Sequence, residues 1–360
     1  MRKGTLQPRQ AARRLSWVPV VAVIVVSFLS ATPRAGAATH CVGTAAEFQT
    51  ALDTAAGNFT NDNILVQRGT YAGNFSFESF EHHPVTIRGG YDPTCSTRVD
   101  DPSNTILDAE GSGTVLSLYQ HAGGGVAVEG VPMQNGGYRG LWVRLINEYG
   151  DNSIENIALF HNVIKDCRTK GGVYIMSEPG DAAFPGTVKI YDNIIQGNIG
   201  EGSGITVLAS WALPGGYVVF RNNIIAGNSA NSGGGIASKS IYADPVIANN
   251  TIYGNGSNSG GAIYCIVSSA PVIINTICWN NSPNEIYATS GNPAITYCNI
   301  KGGWSGEGNI DANPMFVGAA GDYFHLRFGS PCCDAGNNDV PGLPDTDYEG
   351  DSRIVDGNWP

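Results

Sequence analysis

A short phrase rich in asparagine and branched aliphatic residues recurs every 25 to 31 residues between residues 161 and 280, with a degenerate copy up to residue 303, and it limits the possible folds more than any other feature. Its copies read HNVIKDC from residue 161, DNIIQGN from 192, NNIIAGN from 222, NNTIYGN from 249, INTICWN from 274 and a degenerate YCNIKGG from 297. A glycine-rich phrase keeps step with it, as GGVYI, GSGITV, GGGIAS and GGAIYC from 171, 202, 233 and 260. Such a period is typical of solenoids, in which each repeat stacks on the next.

The repeat predicts strands rather than helices. Each copy contains two short runs of branched aliphatic residues, and no 3.6-residue period connects them, which argues against helical solenoids and leucine-rich repeats. Apolar residues alternate instead, as at Val188 and Ile190 and again at Val218 and Phe220. We therefore predict an all-β fold, a parallel β-solenoid whose coils lie about 4.8 Å apart.

One asparagine of each phrase is expected to stack on its equivalent in the next coil. Asparagine tolerates the left-handed turn conformation, and its side-chain amide can bond to the amide one coil above. This favours a structural asparagine ladder over ligand binding. The predicted members are Asn162, Asn193, Asn223, Asn250 and Asn275.

Both ends of the predicted solenoid carry caps. Residues 38–110 are assigned to an N-terminal cap and the first coils, 111–308 to the regular coils, and 309–360 to a C-terminal cap. Thr44 and Glu47 form a capping box that opens a short helix with Phe48 and Leu52 on one side. Caps are needed because terminal coils would otherwise expose core and unpaired strand edges.

Residues 1–37 have the pattern of a signal peptide. Basic residues precede an apolar run from Trp17 to about Ala31, and small residues follow at 35–37. The apolar run is about fifteen residues long, against the roughly 20 that span a bilayer, and no second run of that length follows. We expect a secreted or cell-surface protein with no membrane span once the signal is removed.

The net charge of the exported chain limits the class of partner it can bind. Removal of residues 1–37 leaves 14 basic and 31 acidic residues, a net charge of −17. Because affinity for phosphate depends on clustered cations, this net charge argues against nucleic acid as a partner.

All eight cysteines lie in the exported part, where disulfides form, and we expect one between Cys41 and Cys95. Cys167, Cys265 and Cys298 are either paired or small buried side chains, and Cys278, Cys332 and Cys333 are not assigned.

The segments CVGTAAEFQTAL, ILVQRGTYAGNF, VTIRGGYDPTC, the NNTIYGN-like coils and NIDANPMF…GSPCCDAG…DYEGDSRIVDG resemble secreted bacterial right-handed parallel β-helix proteins of the pectate-lyase-like superfamily. The resemblance covers most of residues 41–357 and implies a right-handed coil. It implies no single activity, because the group includes polysaccharide lyases, glycoside hydrolases and surface proteins without a known reaction. Similar proteins continue past the final Asp-Gly, so the C-terminal cap is expected to be shortened or incomplete.

Catalytic candidates follow from the chemistry of that group. A lyase needs cations for a uronate carboxylate and a basic Arg or Lys, and a hydrolase needs two carboxylates facing one cleft. If Val188 and Ile190 point inward, Lys189 points outward, diagonal to Arg221 on the next coil. Asp192, at the adjoining turn, and Asp244 are the candidate carboxylates. A solvated face with local salt bridges is the alternative interpretation.

Aromatic residues supply the carbohydrate-binding candidates. Trp211 and Tyr242 each lie six residues after an equivalent isoleucine, Phe184 lies in a related longer loop, and Tyr191 is outward-facing beside Lys189. Flat aromatic rings beside a parallel sheet suit sugar rings. Ordinary loop packing is the alternative for the loop aromatics.

No metal or cofactor is predicted. Calcium fits the family's lyases, but acids at equivalent positions of successive coils do not align, and the run Asp345, Asp347, Glu349 and Asp351 departs from an EF-hand loop. His161 is expected to be an ordinary surface histidine.

Three functions remain open at this stage. The first is a secreted or cell-surface β-helix protein that engages polysaccharide through its exposed sheet and loops. The second is a polysaccharide lyase or glycoside hydrolase of the same fold. The third is a structural or adhesin-like spacer. The identity of the glycan and the oligomeric state are not predicted.

Overall fold

A computed structural model describes residues 37–354, apart from 102, 123, 147–155, 179–185, 203, 210–216, 240–243, 267–269, 289–291, 319–322 and 341–342. In chain order its elements are β1 (Ala38–Val42), α1 (Ala45–Ala55), β2 (Asp62–Gln67), β3 (Gly69–Ala72), β4 (Phe75–Ser79), β5 (Val85–Tyr91), β6 (Thr105–Asp108), β7 (Thr114–Gln120), β8 (Gly125–Glu129), β9 (Met133–Gln134), β10 (Arg139–Ile146), β11 (Asn156–Phe160), β12 (Val163–Lys165), β13 (Val173–Glu178), β14 (Thr187–Tyr191), β15 (Ile194–Gln196), β16 (Ile205–Ala209), β17 (Tyr217–Arg221), β18 (Ile224–Ala226), β19 (Ile236–Ser238), β20 (Val246–Ala248), β21 (Thr251–Tyr253), β22 (Ile263–Cys265), β23 (Val272–Ile274), β24 (Ile277–Trp279), β25 (Ile286–Ala288), β26 (Ala294–Thr296), β27 (Asn299–Ile300), β28 (Phe316–Gly318) and β29 (Tyr323–Leu326).

The strands form three long parallel sheets, so the chain is a right-handed parallel β-helix, as predicted. Sheet A runs β1-β2-β5-β8-β11-β14-β17-β20-β23-β26, sheet B runs β3-β6-β9-β12-β15-β18-β21-β24-β27, and sheet C runs β4-β7-β10-β13-β16-β19-β22-β25. From β2 to β27 the strands join sheets A, B and C in turn. Only β28 and β29 pair antiparallel among the described strands, as a hairpin after the last coil.

The core is a stack of branched aliphatic side chains inside the three sheets. In β14 and β17 the inward residues are Val188, Ile190, Val218 and Phe220, each at most 1% exposed. They pair coil to coil, Val188 with Val218 and Ile190 with Phe220. Side chains of successive residues point to opposite faces, so the residues between them form outward-facing columns along the solenoid axis.

The asparagine ladder is present with one change of membership. Asn162, Asn193, Asn223 and Asn250 are buried, and each of the first three donates its backbone N–H and its Nδ2 to the Oδ1 of the next. The prediction of Asn275 as the fifth member was wrong.

Thr276 takes the place predicted for Asn275, because its Oγ1 accepts the Asn250 backbone N–H at 3.4 Å. Asn275 itself has φ 50° and belongs to the preceding turn position, where its side chain bonds to the backbone of Asn337. A threonine can replace the asparagine because its hydroxyl accepts from the coil before and donates to a carbonyl.

A second ladder, not predicted from the sequence, lies at the turn between sheets B and C. It consists of the buried residues Asn198, Asn228, Asn255 and Asn281, and the Oδ1 of Asn198 accepts the backbone N–H of Cys167. It ends at Glu285, whose carboxylate accepts two hydrogen bonds from Asn281. Burial raises the pKa of that carboxyl group.

The N-terminal end is closed by α1. Thr44 is its N-cap, and Thr44 Oγ1 accepts the Glu47 N–H at 3.2 Å, while the Glu47 carboxylate accepts from Gly43, which confirms the capping box in outline. Phe48 and Leu52 are fully buried against the first coil. The predicted disulfide between Cys41 and Cys95 is present, and the remaining cysteines have free thiols, with Cys167, Cys265, Cys278 and Cys298 buried.

Candidate functional site

Three predicted site residues share the outer face of sheet A. Lys189 pairs with Val219, and Tyr191 pairs with Arg221 on the next coil. The Arg221 guanidinium carbon lies 4.1 Å from the centroid of the Tyr191 ring. Burial raises the pKa of Tyr191 to about 12. This part of sheet A therefore combines two cations with one ring, as the alternation of β14 and β17 predicted.

Asp192 lies directly after Tyr191, at the turn from sheet A to sheet B. Its backbone is left-handed, with φ 57°, and Asn222 of the next coil donates its Nδ2 to the carboxylate. Burial raises the pKa of the Asp192 carboxyl group, although Asn222 and nearby cations oppose that shift. Asp192 thus has the environment of a carboxyl group that keeps its proton at higher pH than a free one.

His161 faces Asp192 from the preceding coil. The sequence analysis expected an ordinary surface histidine, whereas the structure places it between two carboxylates. Its Nδ1 bonds to Asp100 Oδ2 at 2.9 Å, and its Nε2 lies 4.0 Å from Asp192 Oδ2. The bond to Asp100 raises the pKa of His161 and lowers the pKa of Asp100. Asp100 also pairs with Arg98. These residues form an ion-pair cluster that joins the segment before β6 to the middle coils.

The other carboxylate candidate is not part of this cluster. Asp244 precedes β20, so it lies at the opposite end of the sheet A strands from Asp192, and its Oδ1 accepts the Ala270 N–H at 2.7 Å. Of the two predicted carboxylates, only Asp192 therefore lies near the two cations Lys189 and Arg221. Trp211, Tyr242 and Phe184 lie outside the described residues.

Among the described residues, the densest group of aromatic and cationic side chains lies on sheet C, and the sequence analysis did not identify it. The guanidinium carbon of Arg139 lies 4.5 Å from the ring centroid of Tyr174, 4.7 Å from that of Trp142 and 5.0 Å from that of Tyr138. The rings of Trp142 and Tyr119 meet edge to face with centroids 4.9 Å apart. Rings from three neighbouring strands, β7, β10 and β13, are thus packed together, and those of β10 and β13 lie beside one cation.

Burial dominates the electrostatics of this group. Arg139 is only 8% exposed, and burial lowers its pKa. Its Nε and the Nε1 of Trp142 are buried without a hydrogen-bond partner among the described residues. Burial also raises the pKa of Tyr119, which Arg139 and Arg144 oppose. We call Tyr119, Arg139, Trp142 and Tyr174 the sheet C aromatic cluster.

Polar and aromatic residues continue the face at one edge of the cluster. Glu78 pairs with Tyr119 across β4 and β7, and its Oε1 lies 3.1 Å from His121 Nε2. The His121 ring stacks on Phe80 with centroids 4.3 Å apart, and Phe80 is 56% exposed. The face therefore combines flat rings with charged hydrogen-bonding groups, the two elements that sugar recognition uses.

The sequence does not predict this cluster, because the coils before residue 161 lack the asparagine phrase. Trp142 lies in LWVRLI, an alternating run, but no neighbouring phrase fixes which residues it faces. The register that brings it against Ser117 and Tyr174 comes from the paired strands alone.

Metal-ligand geometry is confined to one place among the described residues. Carboxylate oxygens of Asp347, Glu349 and Asp351 lie within 4.8 Å of one another in the C-terminal segment. Asp347 Oδ1 accepts the backbone N–H groups of the other two, so turn formation accounts for the grouping. Exposed acids of this kind carry no argument for a cation.

Comparisons with known proteins add no family assignment. No protein-family model, no curated protein and no solved structure matches the chain. Across the described residues, no helix has the length and hydropathy needed to cross a bilayer. Function therefore rests on the geometry of the chain itself.

Proposed function

We propose that this chain is a secreted or cell-surface β-helix protein that binds polysaccharide on the outer face of sheet C. The observation that supports it is the sheet C aromatic cluster, in which the Trp142 and Tyr174 rings lie beside the buried Arg139 guanidinium and the Tyr119 ring packs against Trp142. Preorganised rings lose little conformational entropy on binding, and each has an apolar face for sugar C–H groups. The signal-like residues 1–37 support a ligand outside the cell.

The cations favour an acidic glycan. Arg144 lies on the outer face beside Tyr119, and sheet A presents Lys189 and Arg221 on another side of the coil. Since the chain is strongly acidic overall, cations concentrated beside rings are local features rather than a general surface property. A uronate or sulfate group fits such places because guanidinium groups bind planar anions in pairs of hydrogen bonds.

A second function is elimination by a polysaccharide lyase, which needs cations beside the uronate carboxylate. It is favoured by the positions of Arg139, whose guanidinium lies beside the Trp142 and Tyr174 rings, and of Arg144, which pairs with Tyr119 on the same face. No carboxylate pair of the described residues lines the same cluster, which argues against a hydrolase there.

The test compares Trp142→Ala with Trp304→Ala, a tryptophan that is 37% exposed away from sheet C. Binding of the mature protein is measured on a glycan array, and then by titration with polygalacturonate, alginate and chondroitin. Trp142→Ala should weaken binding about tenfold or more, and Trp304→Ala should not. Ultraviolet absorbance of unsaturated product in the same mixtures detects a lyase.

Two outcomes would overturn the proposal. Equal binding by both variants removes the sheet C aromatic cluster from recognition. Absence of binding by the unmutated protein to every glycan favours the structural spacer.

A further inference from the structure

The C-terminal segment folds back along the corner between sheets A and B. The turns at this corner place residues with left-handed backbones in one column, which includes His161, Asp192, Asn222 and Asn275. The Asn275 side chain donates to the Asn337 carbonyl oxygen at 2.9 Å and accepts the Asn337 N–H at 2.8 Å. Asn337 therefore ties the segment that follows it to this column.

Residues 345–353 form a small antiparallel hairpin, which we call the C-terminal latch. The Asp347 N–H donates to the Asp351 carbonyl oxygen at 2.8 Å, and the Arg353 N–H donates to that of Asp345 at 3.0 Å. These bonds lie within the hairpin, so the latch keeps them when it moves as one unit.

The latch covers the turn that carries Asp192. Its Tyr348 is half-buried and meets the His161 ring at 70°, with ring centroids 6.3 Å apart. Burial raises the pKa of Tyr348 to about 12, and the charge of Asp192 acts in the same direction, so the phenol lies close to that carboxylate. Arg353 donates its Nη2 to the Oδ1 of Asn222, whose Nδ2 holds the Asp192 carboxylate. The closed latch thus lies over one of the predicted site residues.

Few contacts hold the latch closed. Besides these two, Glu349 Oε1 lies 3.2 Å from His325 Nε2, in an exposed pair of the kind that contributes little. The Nε of Arg353 is buried without a hydrogen-bond partner in the part of the chain that the structure describes. Burial lowers the pKa of Arg353, and the like charge of Arg221 adds to that shift. Segments with few buried contacts open locally at low free-energy cost, so closure is reversible.

Electrostatic repulsion also opposes closure. Residues 345–353 contain four acids and one arginine, so they contribute −3 to the net charge of −17 of the exported chain. Asp100 and Asp101 lie near the Tyr348 phenol, together with Asp192. Salt screens repulsion between charges of one sign, so added salt should favour the closed latch.

We propose that the C-terminal latch is a reversible autoinhibitory cover, which keeps ligands away from Asp192 and Asn222 when it is closed. This goes beyond the proposed function, because it concerns the corner of sheets A and B and requires no glycan on sheet C. The closed latch occupies the space above Asp192, and its Arg353 takes the acceptor oxygen of Asn222. Opening makes both available.

The first experiment measures opening through cleavage by trypsin in the mature protein. Trypsin cleaves after arginine, and cleavage after Arg353 requires that side chain to leave Asn222. Mass spectrometry follows the cut, and hydrolysis of a small peptide substrate in the same mixture corrects for protease activity. Cleavage should be at least about twofold slower at about 500 mM than at about 20 mM salt. Asn222→Gly should make it about fivefold faster, whereas Asn249→Gly, at an equivalent turn with φ 56°, should not change it.

The second experiment measures whether the latch covers Asp192. Carbodiimide coupling labels accessible carboxylates, and Asp244, an exposed acid at the other end of the sheet A strands, is the reference in the same sample. Tyr348→Ala should raise the labelling of Asp192 relative to Asp244 about fivefold, because the ring contact is lost. Tyr348→Phe keeps the ring and should not change it. Thermal unfolding checks that each variant folds.

Three outcomes would overturn the proposal. Cleavage after Arg353 that is independent of salt and of the Asn222 substitution identifies a fixed terminal cap. Equal effects of Asn222→Gly and Asn249→Gly assign the change to the turns rather than to the latch. Unchanged labelling of Asp192 in folded Tyr348→Ala shows that the latch does not cover it. None of these results bears on sheet C, where the comparison of Trp142→Ala with Trp304→Ala decides the proposed function separately.

Discussion

Removal of one ladder asparagine should destabilise the protein far more than removal of the neighbouring turn asparagine. Asn223 is 1% exposed, and its Oδ1 accepts from the N–H and Nδ2 of Asn193 while its Nδ2 donates to Ile190 and Asn250. Asn223→Ala removes all four bonds. Asn223 Oδ1 is the acceptor of the Asn193 N–H among the described residues, so this variant leaves that donor buried and unpaired.

The magnitude follows from the bonds. An orphaned buried donor costs about 2 kcal/mol, and each of the other three bonds contributes about 1 kcal/mol, which gives about 5 kcal/mol. Asn275→Gly is the control, since glycine keeps the positive φ and the two lost bonds to Asn337 lie at a partly exposed site where water can replace them. We expect about 1 kcal/mol there.

The assay is urea unfolding followed by tryptophan fluorescence, with amide hydrogen exchange of the coils on either side. Exchange is needed because a solenoid can open locally rather than all at once. Equal destabilisation by Asn223→Ala and Asn275→Gly would refute the assignment of the two side chains. So would faster exchange at the C-terminal coils than at residues 188–225 in Asn223→Ala.

Two other predictions concern pH and the disulfide. The bond to Asp100 raises the pKa of His161, so the stability that this bond contributes is fully present below the ordinary histidine pKa of about 6.5 and is lost as pH rises through the raised pKa of the folded state. The difference in Tm between the unmutated protein and His161→Gln should shrink over that pH range, and a constant difference would contradict this assignment. Replacing Cys41 and Cys95 by serine opens a link across 54 residues and should lower the free energy of unfolding by up to about 4 kcal/mol in chemical denaturation, whereas an unchanged midpoint contradicts the loop-closure argument.

The fold was predictable because its signal repeats. Alternating apolar residues and a phrase that recurs in phase define strands and coils without any long-range information. The error at Asn275 arose because the letters N-T-I occur in two successive phrases one residue out of register. Strand pairing sets Ile252 against Cys278, so a cysteine fills the inward position and Thr276 falls in the ladder.

The candidate site was only partly predictable, since it depends on residues that break the repeat. The outward positions of Lys189, Tyr191 and Arg221 followed from alternation. The contact of His161 with Asp100 joins residues 61 apart in sequence, and no local pattern indicates it. The sheet C aromatic cluster likewise depends on how the strands of the first coils pair. Those coils precede the repeated phrase, so the sequence does not indicate their register.

The two ladders also bear on how the chain changes length. Between corresponding coils the two ladders step by the same number of residues, 30 and then 27, and each asparagine-to-asparagine bond has the same donor, acceptor and direction. A coil is therefore an interchangeable module whose faces match those of its neighbours. Duplication or loss of one coil conserves each type of contact, so such a gene can change the length of the solenoid by whole coils without a new core.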